Sequence, residues 1–173
     1  MPSHTISVLV ENEFGVLARV VGLFSSRGFN IESLTVNEDP VDPTVSRIVL
    51  VTSGDAQILE QISKQLNKLV CVIKISDFNE VDTLDRELVL VRVSVDERTR
   101  PELDGIVNAF RAHVVDIGQR AVTVEITGDS EKIQAFIALV RPLGIKEIVR
   151  TGKIAMARSI QPGNNHRPRR EVG

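Results

Sequence analysis

The segment Glu11-Asn12-Glu13-Phe14-Gly15-Val16-Leu17-Ala18-Arg19 joins an alternating apolar run, ISVLV, to a run with helical spacing. Where a strand turns into a helix, the first helical N–H groups lack internal partners. Those donors and the helix dipole favour an anion, here a carboxylate. Gly15 has no Cβ, so the backbone can come close to a ligand there. Asn12 offers both a donor and an acceptor, which suits a zwitterion carrying carboxylate and ammonium. Val16, Leu17 and Ala18 bring no charge that would repel an anion. Asn30, where the second strand begins, can meet the same ligand from its own chain or from a partner. Leu9, Val16, Leu17 and Ile31 are the aliphatic candidates for contact with the ligand's side chain. The segment also reads as a ligand-free turn in which Asn12 or Glu13 caps the helix.

Other constellations are poorer. His4, His113 and His166 fall near a terminus, in a predicted loop and in the tail, and none has a metal-ligand partner at i+3 or i+4. No G-x-S-x-G, P-loop or G-x-G-x-x-G string occurs. The acid pairs Glu11/Glu13 and Asp39/Asp42 sit in turns, where solvated carboxylates are the norm. The single cysteine, Cys71, lies in the apolar run VCVIKI and reads as a buried small hydrophobe, with Lys74 the nearest base. The expectation is therefore a chain with no catalytic residues and no metal site.

The totals bound what can hold the turn in place. Of 173 residues, 42% are apolar and 25% charged, enough for a packed core. Aromatics are only 3%, with no Trp or Tyr, so the core must be aliphatic and lacks the stacking platforms of single-stranded nucleic-acid binders. A net charge of −2 gives no general attraction to phosphate backbones or anionic membranes. There is no apolar run long enough to span a bilayer and no signal-peptide pattern, so the expectation is a cytoplasmic protein.

Ile6, Val8 and Val10 alternate as in a strand, and Val16, Leu17, Val20, Leu23 and Phe24 follow at helical spacing, with Gly28 a C-cap. Ile31–Val36 is a second strand, NEDPVDPT a loop and SRIVLVT a third strand. Leu59, Ile62, Leu66 and Leu69 mark a second helix, and VCVIKIS a fourth strand. After the linker-like FNEVDTL the pattern starts again. A shift of 74 residues carries Gly54-Asp55 onto Gly128-Asp129. The same shift carries Leu59, Ile62, Leu66 and Leu69 onto Ile133, Phe136, Val140 and Leu143, and Ile48 and Leu50 onto Val122 and Val124. The predicted fold is thus α+β, with two tandem ferredoxin-like βαββαβ units. The expected boundaries are 1–77, a linker at 78–84, a second unit at 85–157 and a polar, disordered tail at 158–173. Strands such as IVLV at 48–51 are apolar on both faces and call for cover on both, which points to a second copy of the chain, a dimer.

The string SVLVENEFGVLARVVGLFSSRGFNIESLTV resembles the ACT domain of the regulatory (small) subunit of acetohydroxyacid synthase, also called acetolactate synthase. The likeness continues through DPTVSRIVLV and QLNKLVCVIKI, and more loosely through RELVLVRV and VVDIG. It implies a non-catalytic subunit that binds the large catalytic subunit, which carries thiamine diphosphate, magnesium and FAD. It implies that this subunit activates its partner and confers feedback inhibition by a branched-chain amino acid, usually valine. The effector would sit between two ACT domains of a homodimer. The implied contacts are Asn12, Gly15, Val16 and Leu17 of one chain with Asn30 and Ile31 of its neighbour. Phe14 departs from the small residue common there. In the second unit VSVDERTRPE replaces VLVENEFGVL, without a glycine and with two arginines, so that unit is expected to keep the fold and lose the site. The alternative is a free-standing amino-acid sensor acting on another enzyme or regulator.

Overall fold

Alternation and helical periodicity resolve into two sheets, each with helices packed on one face. The computed structural model describes residues 3–78 and 82–159. The first unit comprises β1 (Ser3–Glu11), α1 (Val16–Ser26), β2 (Ile31–Glu38), β3 (Val45–Ser53), α2 (Ala56–Leu66) and β4 (Val72–Asp77). The second comprises β5 (Thr83–Ser94), α3 (Arg100–Ala109), β6 (His113–Ile117), β7 (Ala121–Gly128), α4 (Ser130–Gly144), β8 (Ile145–Arg150) and β9 (Ile154–Ala157). The strand orders are β2-β3-β1-β4 and β6-β7-β5-β8, antiparallel in every pair. The α+β class and the two βαββαβ arrangements match the sequence expectation. Most of the tail and residues 79–81 lie outside the described residues. Among the described residues, no helix is long and apolar enough to cross a membrane.

The 74-residue shift has a physical basis. Asp55 accepts a bond from the Ile58 amide (2.9 Å), and Asp129 accepts one from the Lys132 amide (2.8 Å), so each caps the second helix of its unit. The preceding glycines make room for the same turn. A Cβ on Gly54 would lie 2.8 Å from Ile58 Cγ2, and one on Gly128 would lie 2.6 Å from Lys132 Cδ. The matched apolar pairs are core pairs: Ile62 and Phe136, Leu66 and Val140, Ile48 and Val122, and Leu50 and Val124 are all buried. The first helices also end alike. Gly28 N–H and Phe29 N–H donate to the Ser25 and Phe24 carbonyls, and Arg111 N–H and Ala112 N–H to those of Asn108 and Val107. Both are Schellman closures. Gly28 takes the left-handed position in the first, and Arg111, at φ 51°, takes it in the second.

Two features go beyond the expectation. β5 begins at Thr83, inside the stretch read as linker, and its first four residues pair with β9, a strand the sequence reading did not identify. This β5–β9 ribbon faces the helix-free side of the first sheet. Leu84, Ile154 and Met156 look across a cleft of about 390 Å³ at Thr35 and Val49. The apolar character of both faces of β3 is thus met in part within the chain: Val49 and Val51 are buried on the outer face while Ile48 and Leu50 fill the core.

Candidate functional site

β1 ends at Glu11, and α1 starts from Gly15, whose φ of 82° lies in the left-handed region that favours glycine. No side chain caps α1. That sets α1, like α3, apart from α2 and α4 and removes the reading in which Asn12 or Glu13 serves as the cap. Space above Gly15 is open, with nothing within 4 Å of where a Cβ would stand. The Val16 N–H turns back to the Glu13 carbonyl at 3.3 Å, a long bond, and the next two helical amides face outward from the uncapped end.

Asn12 is held rather than free. Its amide nitrogen donates to Glu38 Oε2 (3.1 Å) and to the Pro43 carbonyl (2.9 Å), and its backbone N–H donates to the Thr44 carbonyl (2.8 Å). Both side-chain partners are acceptors, which fixes the orientation of the amide. Its side-chain carbonyl oxygen is then the group it can offer a ligand, and that oxygen suits an ammonium. The loop beneath is folded by its own acids. Asp39 accepts from the Val41 amide (2.9 Å), and Asp42 accepts from the Thr44 amide (3.0 Å) and hydroxyl (2.6 Å). The Thr44 hydroxyl and amide together hold the Asp42 carboxyl below its usual pKa, so it is ionised at neutral pH.

Val16 is buried in the core, so what it can offer a ligand is backbone. Leu17 is 40% exposed on the first turn of α1. Phe14 is fully exposed at the tip. A bare phenyl ring beside an uncapped helix end is an apolar rim without a neighbour in this chain. Leu9 corrects one expectation. It pairs with Arg47 and Lys74 between the core residues Val8 and Val10, so its side chain lies on the sheet face away from α1 and cannot share a pocket with Leu17.

The structure brings Asn12, Gly15 and Leu17 together and keeps Asn30 and Ile31 apart from them. Ile31 pairs with Thr52, which pairs with His4, while Glu11 pairs with Val45 at the other end of the sheet. From His4 to Glu11 is seven strand steps, about 23 Å at ~3.3 Å per residue. The Asn30 carbonyl accepts from the Thr52 hydroxyl (2.6 Å), which fixes that end. Of the two routes open for Asn30, the one within its own chain is closed.

The corresponding turn in the second unit is built differently. Asp96 Oδ1 accepts from the Arg98 amide (2.9 Å), the Thr99 amide (2.8 Å) and the Thr99 hydroxyl (3.0 Å). These bonds hold the Asp96 carboxyl below its usual pKa, the Thr99 amide contributing most. Thr99 stands before α3 where Gly15 stands before α1, and Pro101, second in the helix, removes one amide donor. The turn before α3 is thus tied down by a carboxylate of the chain, while the first amides of α3, like those of α1, take no side-chain cap.

Comparison with known proteins finds matches along both units. A family model described as the AHAS small subunit-like ACT domain matches residues 6–74, and one described as the small subunit of acetolactate synthase matches residues 86–159. A protein of Archaeoglobus fulgidus named "probable acetolactate synthase small subunit" is 52% identical, over 90% of this chain and 96% of its own length. The acetolactate synthase small subunit of Mycobacterium leprae is 46% identical, over 91% of this chain and 93% of its own length. The crystal structure of the acetolactate synthase small subunit from Thermotoga maritima is 40% identical, covers 91% of this chain and 98% of its own, and superposes with a TM-score of 0.80. With both units matched in order and relatives of this identity along nearly the whole length, the chain belongs to the acetolactate synthase small-subunit family.

Proposed function

We propose that the chain raises the activity of a catalytic acetolactate synthase subunit and makes it sensitive to feedback inhibition by a branched-chain amino acid, valine. It performs no chemistry of its own. Thiamine diphosphate, magnesium and FAD belong to the catalytic partner. The ACT unit, residues 1–77, binds the effector and dimerises. The second unit, 85–157, reaches the catalytic subunit.

The observation that carries this reading is the left-handed entry to α1 at Gly15 with its open helical amides; the equivalent entry in the second unit has Thr99 at φ −86° and Pro101 in place of one amide, behind a turn that Asp96 ties down. An amino acid's carboxylate suits the open amides. Its ammonium suits the remaining acceptor of Asn12. The second half of the site has to come from another chain, and the topology favours one way of supplying it. β2 is an edge strand of eight residues. Antiparallel pairing of two β2 edges about a two-fold axis carries Asn30 and Ile31 of one chain to the Gly15 end of the other. Phe14 and Leu17 then gain a covering neighbour. Because the pocket is aliphatic, valine is distinguished from leucine or isoleucine by only ~1–3 kcal/mol per methylene.

The test is reconstitution. Acetolactate formation by the catalytic subunit is measured alone, with this chain, and with this chain plus valine. The expected result is stimulation that valine reverses. A catalytic subunit indifferent to the chain would refute the proposal and leave the free-standing sensor as the reading. Full stimulation by a chain lacking residues 78–173 would refute the role given to the second unit.

A further inference from the structure

β8 and β9 both pair with β5, and between them the chain carries one residue too many. Arg150 pairs with Val89 and Ile154 with Arg86, so Thr151, Gly152 and Lys153 stand opposite Glu87 and Leu88. The extra residue makes a bulge, with Gly152 at φ +86°. The bulge is tied firmly to the second sheet. Thr151 N–H donates to the Leu88 carbonyl (3.1 Å), and Leu88 N–H donates to the Thr151 hydroxyl (3.1 Å). Glu87, buried, takes both arms of Arg150 at 2.7 and 2.6 Å, and Lys153 Nζ lies 3.1 Å from Asp85.

The other side of the bulge rests on β2. Lys153 N–H donates to the Ser33 hydroxyl (3.3 Å), and the Thr35 hydroxyl donates to the Lys153 carbonyl (3.4 Å). Among the described residues, these two hydrogen bonds join the halves of the chain, and both use the main chain of Lys153. The approach is close because residue 152 is glycine. A Cβ there would lie 2.6 Å from Ser33 Oγ and 3.0 Å from Thr35 Cγ2. Either side chain could rotate clear only by giving up its bond to Lys153.

Ser33 and Thr35 pair with Val51 and Val49 on the outer face of β2, two and four residues beyond Ile31. The strand that begins with the proposed partner-side contacts therefore carries the seat of the bulge. We infer that the Thr151–Lys153 bulge is the latch through which effector binding on β2 is transmitted to the second sheet. Gly152 is its positioning residue, and the inference rests on the regulatory reading above. Ligand taken up at Asn30 and Ile31 shifts β2. Ser33 and Thr35 carry the shift to Lys153, and β5 and β8 receive it through Thr151 and the Glu87–Arg150 pair.

The test compares wild type, Gly152→Ala and the double variant Ser33→Ala/Thr35→Val in the reconstituted holoenzyme, with folding checked by thermal melting. Valine affinity is measured on the regulatory chain by calorimetry, and valine inhibition is measured on the holoenzyme. The expected outcome is unchanged affinity with inhibition lost or its midpoint shifted by roughly 5–150-fold, the range of a typical coupling. Inhibition equal to wild type in a folded variant overturns the inference. So does affinity that falls in step with inhibition, which would place the bulge in the site itself. If Gly152→Ala does not fold, the double variant decides by the same readings. A wild-type chain that neither binds valine nor confers inhibition refutes the regulatory reading instead, and the two failures are distinct.

Discussion

Gly15→Asp is the sharpest perturbation of the proposed site, and its size can be worked from the structure. Residue 15 sits at φ 82°, so any side chain there strains the backbone by about 1–2 kcal/mol, less for Asn and Asp. No packing cost adds to this, because nothing lies within 4 Å of the new Cβ. The fold should survive. For the ligand, a second carboxylate about 4 Å from its own costs about 1 kcal/mol in bulk water and about 4 kcal/mol at an effective dielectric of 20. That range weakens valine binding by roughly fivefold to several hundredfold. Gly15→Asn separates charge from shape, since it carries the same backbone strain with a neutral group of nearly equal size. Calorimetric titration of valine into the three proteins should give Asp much weaker than Asn, and Asn close to wild type. Equal affinity in all three would place the site elsewhere. Equal loss in Asn and Asp would show that backbone fit, not repulsion, governs the position.

Arg150→Met should destabilise the chain more than Glu87→Gln, by about 2–4 against about 1–2 kcal/mol in denaturant unfolding, because Glu87 is only 7% exposed and would be left as an unpaired carboxylate. Arg111→Gly should raise the melting temperature, with a gain of about 1 kcal/mol, since Arg111 holds a left-handed position that Gly28 fills without strain in the first unit. Asp96 has a folded-state pKa below its unfolded value, so its contribution is present above the unfolded value and is lost as pH falls through the folded one. Asp96→Asn should therefore flatten the fall in stability below about pH 4, measured by urea unfolding across pH. An acid limb as steep as in wild type would count against the turn as its source.

How much of this was legible beforehand depended on the range of the interactions. The repeat was readable because its causes are local. Gly54-Asp55 and Gly128-Asp129 each clear and cap a helix within four residues, and Ile62 and Phe136 face the core by helical period alone. β9 was not readable. Its run IAMA is four residues long, and its partner, Thr83–Arg86, carries an acid and a base and looks like a linker. Only the pairing of segments some seventy residues apart makes either of them a strand. The cover of Val49 escapes the sequence for the same reason: a two-faced strand calls for a second copy, while part of its neighbour lies in the chain.

The placement of Asn30 is different, because chain polarity alone decides it. A helix that leaves the end of β1 and returns to the start of β2 sets the two strands parallel, with Glu11 and Ile31 at opposite ends of the sheet. A ligand that needs residues from both ends needs two chains. Valine binding and dimerisation must then be linked, each strengthening the other by the same factor. Saturating valine at one hundred times its dissociation constant would stabilise each occupied site by about 2.7 kcal/mol, all of it seen as tighter dimerisation if the monomer binds none. Sedimentation of diluted protein with and without valine reads this directly. The ligand should shift the monomer–dimer midpoint to lower protein concentration, and calorimetry should find equal numbers of ligands and chains, as a two-fold axis requires. If a dissociated monomer binds valine as tightly as the dimer, the amides at Gly15 suffice alone. Asn30 and Ile31 would then have no part in the site, and the case for β2 as the edge where two chains meet would have to rest on something other than the effector.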